Sequence, residues 1–191
     1  ASLCGLEKAL LDNDENEIDT AISRILMMQA HTFFIGGIPM IFYGDEAGYT
    51  NDYSYLLDAG KSYDNRWMHR PIIEWEKNKK IEEEETVENK IFTSTQRLIA
   101  LRKKFSVIAD HKDLTWLPPH NIHVAGYIRT GKHHELYCLF NFSKQKAFLT
   151  WYIFKQHGHT PQHVYDHWQE LQHVVGADDE YLTLEPYQFC L

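Results

Sequence analysis

Basic residues are in short supply: 19 Lys and Arg stand against 27 Asp and Glu, a formal charge of -8 with the 12 His neutral. That balance argues against broad nucleic-acid binding, which needs a basic face. No apolar run approaches the length of a membrane span, so no membrane association is expected. The first residues, Ala1 to Leu6, have neither a basic region nor a secretory pattern. They also lack an initiator methionine, and the expectation is a chain that begins inside a longer protein. Cysteine is sparse. Cys4, Cys138 and Cys190 lie far apart and are odd in number, which predicts free thiols in a reducing, cytoplasmic setting and neither a disulfide frame nor a zinc site. No G-x-S-x-G, P-loop or helix-leading G-x-G-x-x-G occurs, and no cysteine has the context of a nucleophile.

What is present is a globular composition. At 43% hydrophobic and 14% aromatic, 191 residues can bury a sizeable core as one large or two small domains. The stretch from Gly36 to Pro71 organises the reading. Gly36, Gly37 and Pro39 break a helix, and Met40 to Tyr43 read as a short strand buried on both faces. Gly44, Asp45 and Glu46 follow at its C-terminal end, the edge where α/β folds place chemistry.

Upstream, Asp14 and Glu17 resemble a capping box opening a helix to about Phe34, with Ile18, Ala21, Ile22, Ile25 and Leu26 on its apolar face. Downstream, Tyr49, Tyr53, Tyr55, Tyr63 and Trp67 mingle with Asn51, Asp52, Asp58, Asp64, Asn65 and Arg66 in a long aperiodic loop. Such loops are often functional. Rings that stack on sugar faces beside carboxylates that bind hydroxyls suit a carbohydrate, while packing for structure is the ordinary alternative. The charge run Glu74 to Lys90 reads as a solvated helix or linker. A helix from about Val87 to Phe105 follows, with cations in its last turn. From Leu114, short runs (122–128, 135–142, 147–152, 164–168, 181–184 and 187–191) alternate with turn signals. They predict an antiparallel β domain, a sandwich by default, with the boundary near Ile108 to Lys112.

Few constellations carry chemistry. His157, His159, His163, His167 and His173 crowd one span but match no zinc spacing. His133 and His134 sit beside Gly131 and Lys132, which read as a hairpin turn. Asp45 and Glu46 are adjacent, so on a strand they face opposite ways and cannot both act on one bond. Each is as readily a capping or loop-fixing carboxylate. Arg66 is the sharper candidate: an arginine among carboxylates can hold an acidic side chain in a bidentate pair and shape a pocket floor. The plainer alternative stacks it on Trp67.

Residues 37–48, Gly-Ile-Pro-Met-Ile-Phe-Tyr-Gly-Asp-Glu-Ala-Gly, resemble the last conserved region of the α-amylase family of glycoside hydrolases. Asn51-Asp52 and Asp64-Asn-Arg-Trp-Met-His-Arg-Pro71 are similar to the amylosucrase branch, with its close sucrose hydrolases. Further similarities lie at 98–102, 124–129, 140–143 and 184–188, and the likeness is weakest from Gln156 to Asp179.

The resemblance implies α/β plus all-β architecture. Residues 1–109 would be the end of a catalytic (β/α)8 barrel with its eighth strand, and residues 110–191 a C-terminal antiparallel β-sandwich. It implies that the nucleophilic Asp, acid/base Glu and stabilising Asp all lie upstream of Ala1, leaving no catalytic residue in this chain, which alone would be inactive. Arg66 would close the glucosyl subsite by pairing with an Asp of the missing part. Asp45, Glu46 and Asp64 would support the pocket. The implied partners are sucrose or an α-glucan and the N-terminal barrel portion, with no metal and no cofactor. A non-catalytic glucan-binding or barrel-sealing module, or a sucrose hydrolase or α-glucosidase, is the alternative.

Overall fold

A computed structural model describes residues 1–108, 114–132, 134–155, 161–176 and 181–191. The chain divides into two compact units, Ala1–Leu26 with Met40–Leu98, and Met27–Pro39 with Ile99–Leu191. The described residues form four α-helices: α1 (Leu6–Asp12), α2 (Glu15–Phe34), α3 (Trp75–Lys79) and α4 (Val87–Lys104). Among the described residues, no helix is long and apolar enough to cross a membrane.

In the first unit the expected cap opens α2. Asp14 Oδ1 accepts the amide of Glu17 at 3.1 Å, satisfying an otherwise orphaned donor. The helical spacing of Ala21, Ile22 and Ile25 then buries one face against Leu6 of α1 and Ile91 of α4. Each buried Ile or Leu side chain contributes about 1.5–3 kcal/mol. The residues before Asp14, which show no period, nevertheless form α1. The charge run becomes α3, a 3-10 turn and the approach to α4. Inside it, Lys77 lies 3.6 Å from the largely buried Glu88.

The expected buried strand at Met40 to Tyr43 is not formed. These residues belong to no strand, and the run is open to solvent, Met40 86% exposed and Ile41, Phe42 and Tyr43 38%, 49% and 45%. A strand needs neighbours to take its backbone hydrogen bonds, and none of the described residues pairs with this one. Asp45 to Ala47 form a 3-10 turn instead of a strand end.

Among the described residues the second unit carries eight antiparallel strands: β1 (Leu114–Leu117), β2 (Val124–Thr130), β3 (Glu135–Asn141), β4 (Ala147–Thr150), β5 (His163–Asp166), β6 (Leu171–Val174), β7 (Tyr181–Leu184) and β8 (Phe189–Cys190). They form a sheet ordered β1-β2-β3-β8 and the pairs β4-β7 and β5-β6. Leu117, Val124, Ile128 and Leu139 of the large sheet share a core with Ala147, Leu149, Leu182 and Leu184 of β4 and β7, the sandwich arrangement expected. Strands β4 and β7 alternate buried and exposed residues, because one face meets the core. Strands β2 and β3 are buried almost throughout, because the sheet's other face is covered too. There His31 of α2 meets the rings of Tyr127, Phe140 and Phe142 edge-on.

Two strands, β1 and β6, were not marked out individually by the sequence. The second of them is Leu-Gln-His-Val, with little β character. The hairpin turn at Gly131 is as expected, its amide donating to the carbonyl of His134 at 2.9 Å. The expected boundary at Ile108 to Lys112 falls largely outside the described residues, as do His133, His157 and His159.

Candidate functional site

The polar-aromatic loop after Glu46 belongs to the first unit and is fixed by its own carboxylates. Gly48 makes the entry possible. Its φ is +64°, and a Cβ there would sit 2.7 Å from Ile91 Cδ1, so only glycine lets the turn lie on the helical core. Tyr49 follows with its ring buried. Its hydroxyl accepts the Glu74 amide at 2.8 Å and lies 2.9 Å from Asn78 Oδ1 and 3.0 Å from the Glu74 carbonyl. The Lys77 ammonium sits 4.9 Å from the ring centroid.

Asp52 staples the loop's two ends. Its Oδ1 accepts the Ser54 amide at 2.9 Å and its Oδ2 the Ile72 amide at 3.2 Å, while its own amide donates to the Met68 carbonyl at 2.9 Å. Hydrogen bonds from the Ser54 hydroxyl and amide hold its carboxyl below the usual range. Asp58 closes the next turn by accepting the Gly60 amide at 2.8 Å. Both follow the Asx-turn pattern, in which the carboxylate captures a backbone N–H two residues on. That local pattern was the available sequence signal for Asp52 as a staple. At the other side of the loop, His69 Nδ1 lies 3.1 Å from Asn51 Oδ1.

Asp64 and Arg66 are brought together. Asp64 Oδ1 accepts the Arg66 amide at 3.0 Å and Nε at 2.9 Å, and its Oδ2 accepts Nε at 3.1 Å and Nη2 at 2.8 Å. These bonds, the side-chain ones foremost, hold the Asp64 carboxyl down to about 2 and raise the Arg66 guanidinium in turn. The Arg66 side chain remains 77% exposed. Its Nη1 has no partner among the described residues, so one edge of a fixed guanidinium faces outward. Arg66 does not stack on Trp67. The cations over that ring are Arg70 at 5.0 Å and Lys61 at 5.1 Å.

Asp45 and Glu46 sit side by side in the 3-10 turn, with Asp45 Oδ1 3.7 Å from the amino nitrogen of Ala1. Among the described residues neither contacts Asp64 or Arg66, so the four candidates form two separate pairs. The Asp64–Arg66 pair holds one carboxylate, and Asp45 and Glu46 are adjacent in one turn. Among the described residues, no three His, Cys, Asp or Glu side chains converge as a metal site would require. Of the remaining histidines, His167 packs edge-on to Phe105 and Tyr165, and burial lowers its pKa. His173 lies against Trp151. The three cysteines are free thiols.

No protein-family model matches the sequence. The fold is similar to solved structures. Trehalose-6-phosphate hydrolase from Bacillus licheniformis matches with a TM-score of 0.58 at 16% identity, over 88% of this chain and 38% of that one. AmyP in complex with maltose matches with a TM-score of 0.67 at 12% identity, over 88% and 34%. An isomaltulose synthase variant from Erwinia rhapontici NX5, in complex with its natural substrate sucrose, matches with a TM-score of 0.54 at 16% identity, over 89% and 37%. This chain thus spans little more than a third of the length of each, and at these identities the likeness is one of fold. The helices and antiparallel sheets of this chain thus have the fold of part of each of these structures.

Proposed function

We propose that this chain is the C-terminal part of an α-amylase-family enzyme that acts on sucrose as amylosucrases do. Residues 1–109 are the end of its (β/α)8 barrel and residues 110–191 its C-terminal β domain. Arg66 forms one wall of the glucosyl pocket, Asp64 holds it, and Asp45 and Glu46 support the loop's entry.

The observation that carries this reading is the outward edge of Arg66, locked by Asp64 in a loop that its own carboxylates make rigid. A preset guanidinium binds a hydroxyl or a facing carboxylate without losing side-chain freedom on binding. The uncovered run from Ile38 to Tyr43 supports the barrel assignment, because apolar residues in that number gain by pairing with further strands. Neighbours in complex with maltose and sucrose support the substrate class.

Cleavage with retention needs two carboxyl groups about 5 Å apart, and in this reading both belong to residues upstream of Ala1. The glucosyl unit passes to a nucleophilic carboxylate there, then to a glucan or to water. Residues of this chain bind and orient the sugar. In the polypeptide that joins this chain to its upstream barrel, Arg66→Ala should lower kcat/KM for sucrose by about 100-fold, the scale at which a positioning contact acts. Unchanged kcat/KM would overturn the assignment. The 191 residues alone should release no glucose from sucrose, and turnover by them would overturn it as well.

A second reading, that the β domain binds α-glucan without catalysis, draws on one observation. Phe148 and Tyr181 lie exposed on neighbouring strands with ring centroids 6.3 Å apart. Retardation of this chain in glycogen-containing native gels, lost in Phe148→Ala, would favour it.

A further inference from the structure

In the loop of the first unit, three turns of one size follow each other between Lys61 and Arg70. The Asp64 amide donates to the Lys61 carbonyl at 2.9 Å, the Trp67 amide to the Asp64 carbonyl at 3.3 Å and the Arg70 amide to the Trp67 carbonyl at 3.0 Å. Side chains three residues apart in such turns lie one over the next. Lys61, Asp64, Trp67 and Arg70 thus make a row. The contacts agree: the Lys61 ammonium lies 5.1 Å and the Arg70 guanidinium 5.0 Å from the centroid of the Trp67 ring between them in sequence. Asp64 brings Arg66 to the same row through its bidentate pair.

The charges of this loop are turned unequally. Its carboxylates are engaged by the loop itself: Asp52 by the Ser54 and Ile72 amides, Asp58 by the Gly60 amide and the Lys61 ammonium at 3.2 Å, Asp64 by the amide and guanidinium of Arg66. The Asp64 side chain is 19% exposed and that of Arg66 77%. Arg70 is exposed and makes no ion pair among the described residues. Hydrogen bonds from Arg66 hold the Asp64 carboxyl down and the charge of Arg70 adds to the effect, so Arg70 lies near that pair. In a chain of formal charge -8, this row therefore turns cations to solvent and keeps its acids inward. An ammonium and a guanidinium beside one ring, with a second guanidinium next to them, suit a dianion with three oxygens better than a single carboxylate.

We propose that Arg70 and Lys61 bind the phosphate group of a phosphorylated sugar whose ring lies against Arg66. The sugar half of this ligand rests on Arg66 being a pocket wall, and the phosphate half on the row alone. Arg70 supplies parallel N–H donors to two phosphate oxygens and Lys61 a point charge to the third. The Asp64–Arg66 pair stays intact, so Arg66 still offers its outward edge to a sugar hydroxyl. Trp67 keeps both cations in place through its ring face.

The test titrates the full chain with glucose 6-phosphate, glucuronate, inorganic phosphate and glucose at constant ionic strength. NMR follows the Arg70 Nε–H and the Trp67 indole N–H. Glucose 6-phosphate should shift both signals with a Kd about tenfold below that of each other probe. Arg70→Gln should raise that Kd about tenfold, and Arg70→Lys, which keeps the charge but not the fork, by less. Lys61→Gln is the second variant and should also weaken binding. Amide shifts outside residues 52–72 report that each variant is folded. Inorganic phosphate bound as tightly as glucose 6-phosphate overturns the sugar half, and glucuronate bound as tightly overturns the choice of phosphate. Absence of any shift, or an affinity unchanged in both Arg70→Gln and Lys61→Gln, overturns the site. Sucrose turnover is no part of this readout. Binding of glucose 6-phosphate lost in Arg66→Ala but kept in Arg70→Gln would leave Arg66 as a pocket wall and overturn the phosphate site alone.

Discussion

Arg129, fully buried in β2, donates from Nη1 to the carbonyl of Ile35 at 3.2 Å, just past the end of α2. Its Nη2 reaches the carbonyls of Val107 and Ile108 at 3.2 and 3.3 Å. One side chain thus satisfies two separate chain segments, both of which precede it in sequence. The close approach also explains Gly36, where φ is +121° and a Cβ would stand 3.3 Å from Arg129 Nη1.

Arg129→Met should destabilise the second unit by about 3 kcal/mol, since three carbonyls lose a charged donor at once. Urea unfolding followed by tryptophan fluorescence measures it. Arg129→Lys should recover only part, because an ammonium cannot span the same fork. Unchanged unfolding midpoints in both variants would remove Arg129 from the role.

Gly48→Ala should cost about 2–4 kcal/mol, adding left-handed backbone strain to a collision with Ile91. Gly37→Ala provides the comparison. Its φ is +73° but nothing lies within 4 Å of the new methyl, so the strain alone, about 1–2 kcal/mol, is expected. Equal costs at the two sites would show that the packing against Ile91 contributes nothing.

His31 predicts an acid-sensitive second unit. Burial lowers its pKa, so folding favours the neutral ring that Tyr127, Phe140 and Phe142 enclose. The stability this gives is complete above about pH 6.5, the unfolded value, and is lost as pH falls through the folded value. His31→Phe should flatten the pH dependence of the urea midpoint between pH 7.5 and 5. A slope identical to that of the unmodified chain would assign the acid sensitivity elsewhere.

Asp64 gives a titration with a built-in control. Its carboxyl, held down to about 2 by Arg66, should return to the ordinary aspartate range, about 3.9, in Arg66→Ala. Carbon-13 NMR of the carboxyl reads both. The pair's contribution to loop order is present above the unfolded value and lost as pH falls toward the folded one. An Asp64 titration that ignores the substitution would mean that the two side chains are not paired in solution.

Local chemistry in the sequence determined much of this protein. The cap at Asp14, the period of Ile18 to Ile25, the stop at Gly36 and Gly37 and the alternation in β4 and β7 are short-range signals, read without knowing any distant partner. The motif residues of the loop were legible in the same way, and Asp64 and Arg66 meet because they are two residues apart. Tertiary structure decided what depends on partners far along the chain. Met40 to Tyr43 read as a buried strand, yet burial and strand pairing are both supplied by neighbours, and the described residues supply none. Tyr49 could be read as one more loop aromatic until α3 came to meet its hydroxyl. Arg129 lies just past the predicted run 122–128, and only the three carbonyls brought around it make its burial favourable.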